Sequence, residues 1–341
     1  MGAYFARRFL LMIPTFLGIT VLVFMITRFV PGGPVEQAII ELQMGGAGGE
    51  AGASSNGGGG MDIPAEAMDE LRAHYHFDKN PVHAYALWLK SLLTLDLGKS
   101  YKFNTPVLEV IAKRFPVSIY FGLIGFTLAY LVCVPLGVWK AIRHGSKFDF
   151  MSSAVVFMGY SIPGWALGLL LLLVFGAKLD MVPLGGFRAE NWADLSLFQK
   201  IINQLHHTIL PVCAYAAGSF ATLTILMKNS LMDNMGQDYV RTAFAKGLSE
   251  NRVIFLHALR NSLIPICTGL GHAISLVMAG SYLIEKVFNI DGIGYLGFTS
   301  IVERDYSVVM GILVINTALI LIGNILSDVL YVVVDPRIRF T

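Results

Sequence analysis

Charge is scarce in this chain. Asp, Glu, Lys and Arg supply 14% of its 341 residues, against about 25% in ordinary soluble domains, and hydrophobic residues reach 55%. The length would allow two soluble domains; the composition excludes them and points to a polytopic membrane protein. Cysteine is scarcer still. Cys133, Cys213 and Cys267 each sit in an apolar run, no two close in sequence. An odd, dispersed set excludes a disulfide framework and a cysteine metal site, and reads as small apolar packing residues. A net charge of +2 says little about nucleic acid, and none is expected as a partner.

Motifs for chemistry are missing as well. Gly98-Lys99-Ser100 ends like a phosphate-cradling loop, but that loop needs glycine at position 93, where the chain has Leu93. No ATP site is visible, and neither a cofactor nor a metal is expected on this chain. Gly159-Tyr160-Ser161-Ile162-Pro163 begins like a serine elbow and ends on proline where glycine is required. Gly292-Ile293-Gly294 runs into Tyr295, so an intramembrane aspartyl protease would lack its carboxylate. An enzyme is not expected, and no residue is assigned to covalent chemistry.

What the chain does contain is a series of apolar runs long enough to cross a bilayer. The first, residues 9–30, follows Arg7 and Arg8 and is interrupted only by Pro14 and Arg28; about 20 apolar residues are needed to span. Twelve of residues 9–26 are Leu, Ile, Val or Phe, worth roughly 4–7 kcal/mol of insertion free energy. The run is too long for a signal-peptide core and ends in Pro31-Gly32-Gly33-Pro34 rather than a cleavage site. It is therefore expected to stay as a helix, with Arg28 snorkelling to the surface.

Residues 31–116 are not membrane-like. A Gly-rich insert at 45–60 reads as a flexible excursion without a core. Helices are expected over 64–76 and 81–95, the second with Leu87, Trp88, Leu92 and Leu95 on one face, followed by a turn at Asp96-Leu97-Gly98-Lys99-Ser100. The remainder, 117–341, reads as a five-helix core with spans near 117–139, 151–175, 208–232, 263–283 and 308–334. Pro163 should kink the third span, and a break there is tolerated only against protein or water. Ala214, Gly218 and Thr222 in the fourth span, with Gly269 and Ala273 in the fifth, are small residues four apart. That spacing lets helices approach closely, and Pro163, Gly218, Gly269 and Ala273 are the candidates for helix packing or for lining a pathway. Trp192 is expected to anchor at the interface. Asp328 in the sixth span must face protein or water, and a structural role is preferred for it, as packing is for His272.

With six spans and both termini on one side, that side carries 12 basic against 5 acidic residues, and the opposite side 12 against 17. The basic excess places both termini in the cytoplasm and the 31–116 excursion outside it.

The most polar long stretch of the second half then falls in the cytoplasm. Tyr239, Val240, Ala243, Phe244 and Ala245 form a first amphipathic turn or two; Gly247 breaks it; Val253, Ile254, Leu256, Leu259 and Leu263 recur at helical spacing before Pro265. A solvated topological loop would explain Arg241, Lys246, Arg252 and Arg260, but not Phe244, Ile254, Phe255 and Leu256. A helix–Gly–helix of this kind reads as a docking element for a soluble partner. Its residues resemble the cytoplasmic coupling loop of ABC importer permeases in the dipeptide and oligopeptide branch. Arg241, Thr242, Ala243, Lys246 and Gly247 match the Arg-Thr-Ala-x-x-Lys-Gly run, and His257, Ala258, Leu259, Arg260, Asn261 and Pro265 match the run that follows. The general permease motif opens with Glu-Ala, which Arg241 and Thr242 replace here, as the peptide branch does. Pro14, Pro31-Gly32, Pro163, Arg304-Asp305-Tyr306 and Asp335-Pro336-Arg337 extend the resemblance over nearly the whole length, the Gly-rich insert excepted. That insert and the opening Met1-Gly2-Ala3-Tyr4 look most like the microcin C and oligopeptide importing branch.

The resemblance implies a type I ABC importer permease fold and a list of partners. These are a second permease in a heterodimer, one or two ABC ATPase subunits that use ATP and Mg, a periplasmic solute-binding protein, a peptide substrate and the inner-membrane bilayer. The coupling loop, 233–262, would transmit ATPase motion through Arg241, Thr242, Ala243, Lys246, Gly247, Phe255, His257, Arg260 and Asn261, with Pro265 at its end. An ion-coupled secondary transporter is the alternative, resting on Asp328 and His272.

Overall fold

The structure, a computed structural model, describes residues 2–29, 78–267, 269 and 280–334. The Gly-rich insert, the helix expected over 64–76, His272, Ala273 and the tail after 334 lie outside the described residues. Among those described, regular structure is helical throughout, apart from one antiparallel bridge between Lys99 and Pro106. Four helices are long and apolar enough to cross a membrane, or five spans if one sharply bent pair counts as a crossing. The fifth predicted span falls largely on 268 and 270–279, outside the described residues. Contacts divide the chain into two units, one of residues 1–12, 114–296 and 318–341, the other of residues 13–113 and 297–317.

The first unit is built around α6 (Leu197–Met235). It starts eleven residues before the expected span because Ser196 and Gln199 form a reciprocal capping box, each side chain accepting the other's backbone N–H. Against it lies α3 (Val107–Ile142), which carries Pro116 and Pro135 inside the helix. Gly125 and Gly137 let the two backbones close up. A Cβ on Gly125 would stand 2.7 Å from Tyr215 Cβ, and one on Gly137 2.6 Å from Met227 Cβ and 2.7 Å from the Thr224 carbonyl. The third predicted span is two helices, α4 (Lys147–Ser161) and α5 (Gly164–Leu171), meeting at 93°. Pro163 causes more than the expected kink: its extended backbone caps α5, its carbonyl accepting from Ala166 and Leu167 N–H. The break is packed on α6, where a Cβ on Gly164 would stand 2.5 Å from the Ala214 carbonyl. After α5, wide turns over Leu172–Lys178 end with Leu179 N–H bonded to Val174 O.

Most of the fifth span, and with it its packing on the fourth, lies outside the described residues. Ala214 supports close approach, and among the described residues nothing lies within 4 Å of a Cβ added to Gly218. The tight contacts of α6 with its described neighbours use Gly125, Gly137, Gly164 and Gly168.

In the second unit, α2 (Pro81–Leu93) buries Ala84 and Leu92. Its Tyr85 hydroxyl is 2.9 Å from Thr20 Oγ1 on α1 (Gly2–Phe29), and Phe24 packs on Tyr85 and Trp88. Leu95 leaves the expected face: the helix has ended, and Leu95 takes φ +59° and is exposed. Arg28 donates to the Lys79 carbonyl. The Asp-Leu-Gly-Lys-Ser stretch forms the expected turn and is held by side-chain bonds. Asp96 accepts from Gly98 N–H, and buried Ser100 donates to Asp305, which also caps Tyr306–Val334 through Val308 N–H.

Candidate functional site

The loop after α6 folds as two helical pieces across a glycine. The first, α7 (Asp238–Ala245), has Asp238 in its first turn, where the helix dipole favours an anion. It ends in a Schellman arrangement: Gly247 N–H bonds Phe244 O, Leu248 N–H bonds Ala243 O, and Gly247 sits at φ +79°. The second piece, α8, is made of three consecutive stretches, Glu250–Arg252, Val253–Ala258 and Leu259–Ser262. Its middle stretch is wound in turns that close on the fifth residue. Val253, Ile254 and Ala258 point inward and are fully buried, whereas Leu256, placed with Val253 by helical spacing, is 58% exposed.

Val240 and Ala243 from α7 and Val253, Ile254 and Ala258 from α8 join Met227 and Leu231 of α6 in one core cluster. Ser230 Oγ adds a bond to the Ser262 carbonyl at 2.9 Å. The loop is therefore rigidly mounted on α6. Its outer side shows Tyr239, Phe244, Phe255 and Leu256, between 39% and 58% exposed, among exposed Arg241, Lys246, Arg252 and Arg260. Of the predicted coupling residues, Arg241, Thr242, Lys246, Gly247, Phe255, Arg260 and Asn261 are on this outer side, and His257 is half-buried. Ala243 belongs to the inner core. Pro265 is elsewhere: with Ile266 and Gly269 it lines a cavity of about 420 Å³ between α3, α6 and the stretch after α8. Gly218, Ser219 and Thr222 of α6 and Tyr130 of α3 line it too.

Sequence reasoning missed a polar knot near the same end of α6. Asp149, in the first turn of α4 and ahead of the apolar span, takes both oxygens to Lys228 Nζ at 2.7 Å; Lys140 Nζ lies 3.1 Å away and His144 Nδ1 3.3 Å. Burial would push this carboxyl up. Hydrogen bonds from Lys228, Lys140 and the Gly145 N–H outweigh burial and hold it well below the usual carboxylate range. The available signal was Lys228, a lone cation inside an apolar run. Asp328 is ion-paired, with Arg8 Nε 3.0 Å from Oδ2, in keeping with the structural reading.

A helical chain with several helices long and apolar enough to cross a membrane belongs to the class of polytopic integral membrane proteins. The family model for the binding-protein-dependent transport system inner membrane component matches residues 133–340. The chain belongs to that family, as a multi-pass inner-membrane permease subunit of an ABC-type transporter. It is 38% identical to the peptidoglycan transport system permease protein YejB of Agrobacterium fabrum, over 100% of this chain and 99% of the relative. Identity is 41% with the inner membrane ABC transporter permease protein YejB of Escherichia coli O157:H7, over 100% and 99%. It is 35% with the oligopeptide transport system permease protein AppB of Bacillus subtilis, over 100% of both. These relatives support the ABC permease reading over the ion-coupled carrier.

Proposed function

We propose that this chain forms half of the path by which a peptide crosses the inner membrane in an ATP-driven importer. A second permease supplies the other half, a periplasmic solute-binding protein delivers the peptide, and one or two ABC ATPases, using ATP and Mg, dock on the cytoplasmic loop. The chain crosses six times with both termini in the cytoplasm, in the type I importer arrangement, and does no covalent chemistry itself. Hydrolysis belongs to the partners. Their closure moves α7 and α8 as one piece with α6, and so alternates access to the cavity beside Gly218.

The observation that carries this reading is the two-sided loop. Its inner apolar residues are consumed by the chain's own core, and a second apolar set, Tyr239, Phe244, Phe255 and Leu256, faces outward among four basic residues. An aromatic and basic patch on a rigid mount suits a groove in a folded partner. The peptide assignment is supported by the relatives' names and by a cavity whose lining, among the described residues, includes glycines and hydroxyls and no charged side chain.

The test is co-purification from membranes. Phe255→Asp changes an exposed side chain and spares the core, so the variant is expected to fold. It should lose its ATPase partner, with affinity falling about 30- to 1000-fold, the range of a 2–4 kcal/mol hot spot. Gly247→Asp should add a smaller loss through its left-handed backbone. Recovery of no ATPase with the unaltered chain, or full recovery with Phe255→Asp, defeats the docking assignment.

A further inference from the structure

Glu285 takes no part in the docking loop, yet it is among the most buried side chains of the protein, 1% exposed. It lies on a short helix, Tyr282–Val287, and its carboxylate collects donors from three other places. Ser118 Oγ on α3 donates at 2.9 Å, Tyr295 N–H at 2.6 Å and the Tyr215 hydroxyl on α6 at 3.4 Å. Ser118 Oγ in turn accepts from Ile293 N–H at 2.7 Å. Gly292 keeps the site closed, since a Cβ there would stand 2.5 Å from Glu285 Cδ. The neighbouring charges are engaged elsewhere: Arg114 pairs with Asp291, and Lys286 lies over the Tyr295 ring.

Tyr215 makes this knot more than a local clamp. Its ring lines the cavity, and its Cβ rests against Gly125 of α3. Its hydroxyl is held on both sides by the Glu285 segment, donating to Glu285 and accepting from Ser281 N–H at 3.1 Å. The ring position is thus set by a segment, 280–295, in the connection after the fifth span. In the proposed topology that connection faces the side from which substrate arrives.

We infer that Glu285 is a positioning residue for transport: through Tyr215 it ties the outer segment 280–295 to the wall of the cavity, so that a binding protein seated outside is sensed at the path. This rests on the proposed import function. A glutamine at 285 would turn an amide N–H₂ toward one of the present donors, and a phenylalanine at 215 would keep the ring and its packing on the Ile284 and Phe288 cluster while removing its hydrogen bonds to Glu285 and Ser281. Both changes should leave the cavity in place and release its wall.

The experiment uses the whole complex, both permeases and the ATPases in liposomes, with ATP hydrolysis measured with and without peptide-loaded binding protein, and peptide uptake alongside. Tyr215→Phe is expected to raise hydrolysis in the absence of binding protein and to cut the stimulation ratio by about 5-fold or more, the lower end of allosteric coupling. Glu285→Gln should do the same. If Glu285→Gln fails to assemble, Tyr215→Phe decides alone, because its volume and packing are kept. A complex that transports normally, with a stimulation ratio unchanged in Tyr215→Phe, overturns the inference and leaves the function standing. An unaltered complex that hydrolyses ATP and takes up no peptide overturns both.

Discussion

Asp149→Ala is expected to destabilise the chain by about 3–5 kcal/mol, the loss typical of stripping a buried ion pair of one partner. The carboxylate is the meeting point of three helices. Lys228 reaches it from α6, Lys140 from α3, and Asp149 itself opens α4. The Lys140 side chain is 1% exposed and would keep only the Asp149 carbonyl and the hydroxyls of Ser152 and Ser153. Two cations near one another with no counter-charge would then repel in a place water hardly reaches. The midpoint of thermal unfolding in mild detergent measures this. A midpoint indistinguishable from the unaltered chain would mean the three hydroxyl and carbonyl acceptors suffice.

The sign of the pH dependence follows from the same contacts. The folded carboxyl lies below its unfolded value of about 3.9, so its contribution to stability is fully present above that pH and is lost as pH falls through the folded value. Between about pH 5 and 8 this site should leave stability flat. Below about pH 4 the unaltered chain should lose stability faster than Asp149→Ala, which has nothing left to protonate.

How far the sequence carried can be judged at particular residues. Gly247 was legible as a break because a helix that must turn sharply needs a left-handed residue, and φ +79° is what it adopts. The inner face of α8 was not. Helical spacing groups Leu256 with Val253, yet Val253, Ile254 and Ala258 are buried and Leu256 is exposed. Apolar residues lie on both sides of α8, and spacing does not say which of them the chain's own core takes up. Pro163 announced a disturbance; its 93° size depends on Gly164 seating against the Ala214 carbonyl, which is a tertiary fact. The same limit hid the Asp149 knot. Lys140 and Asp149 are close in sequence, but the residue that decides their role, Lys228, is 79 positions away from Asp149.

Glycine shows most clearly why a residue type alone does not give a role, and Gly137→Leu and Gly218→Phe are expected to fail in opposite ways. Both positions are helical and both lie on the facing helices α3 and α6. At Gly137 the new Cβ would meet the Thr224 carbonyl at 2.7 Å and Met227 Cβ at 2.6 Å. Neither is the free end of a flexible side chain, so the helices must separate, and overpacking of this kind destabilises by about 1–3 kcal/mol before the rest of the leucine is placed. Gly137→Leu should therefore accumulate poorly in membranes. At Gly218 nothing among the described residues lies within 4 Å, and replacing a mid-helix glycine gains backbone stability of up to about 1 kcal/mol. The phenyl ring of Gly218→Phe enters the cavity that Gly218 lines. That variant should accumulate normally and keep its ATPase partner, while peptide uptake falls by about tenfold or more, equivalent to at least 1.4 kcal/mol on the barrier. Normal uptake by an intact Gly218→Phe complex would show that substrate passes elsewhere. Loss of the ATPase from the same variant would show instead that the ring disturbs the mounting of the docking loop on α6.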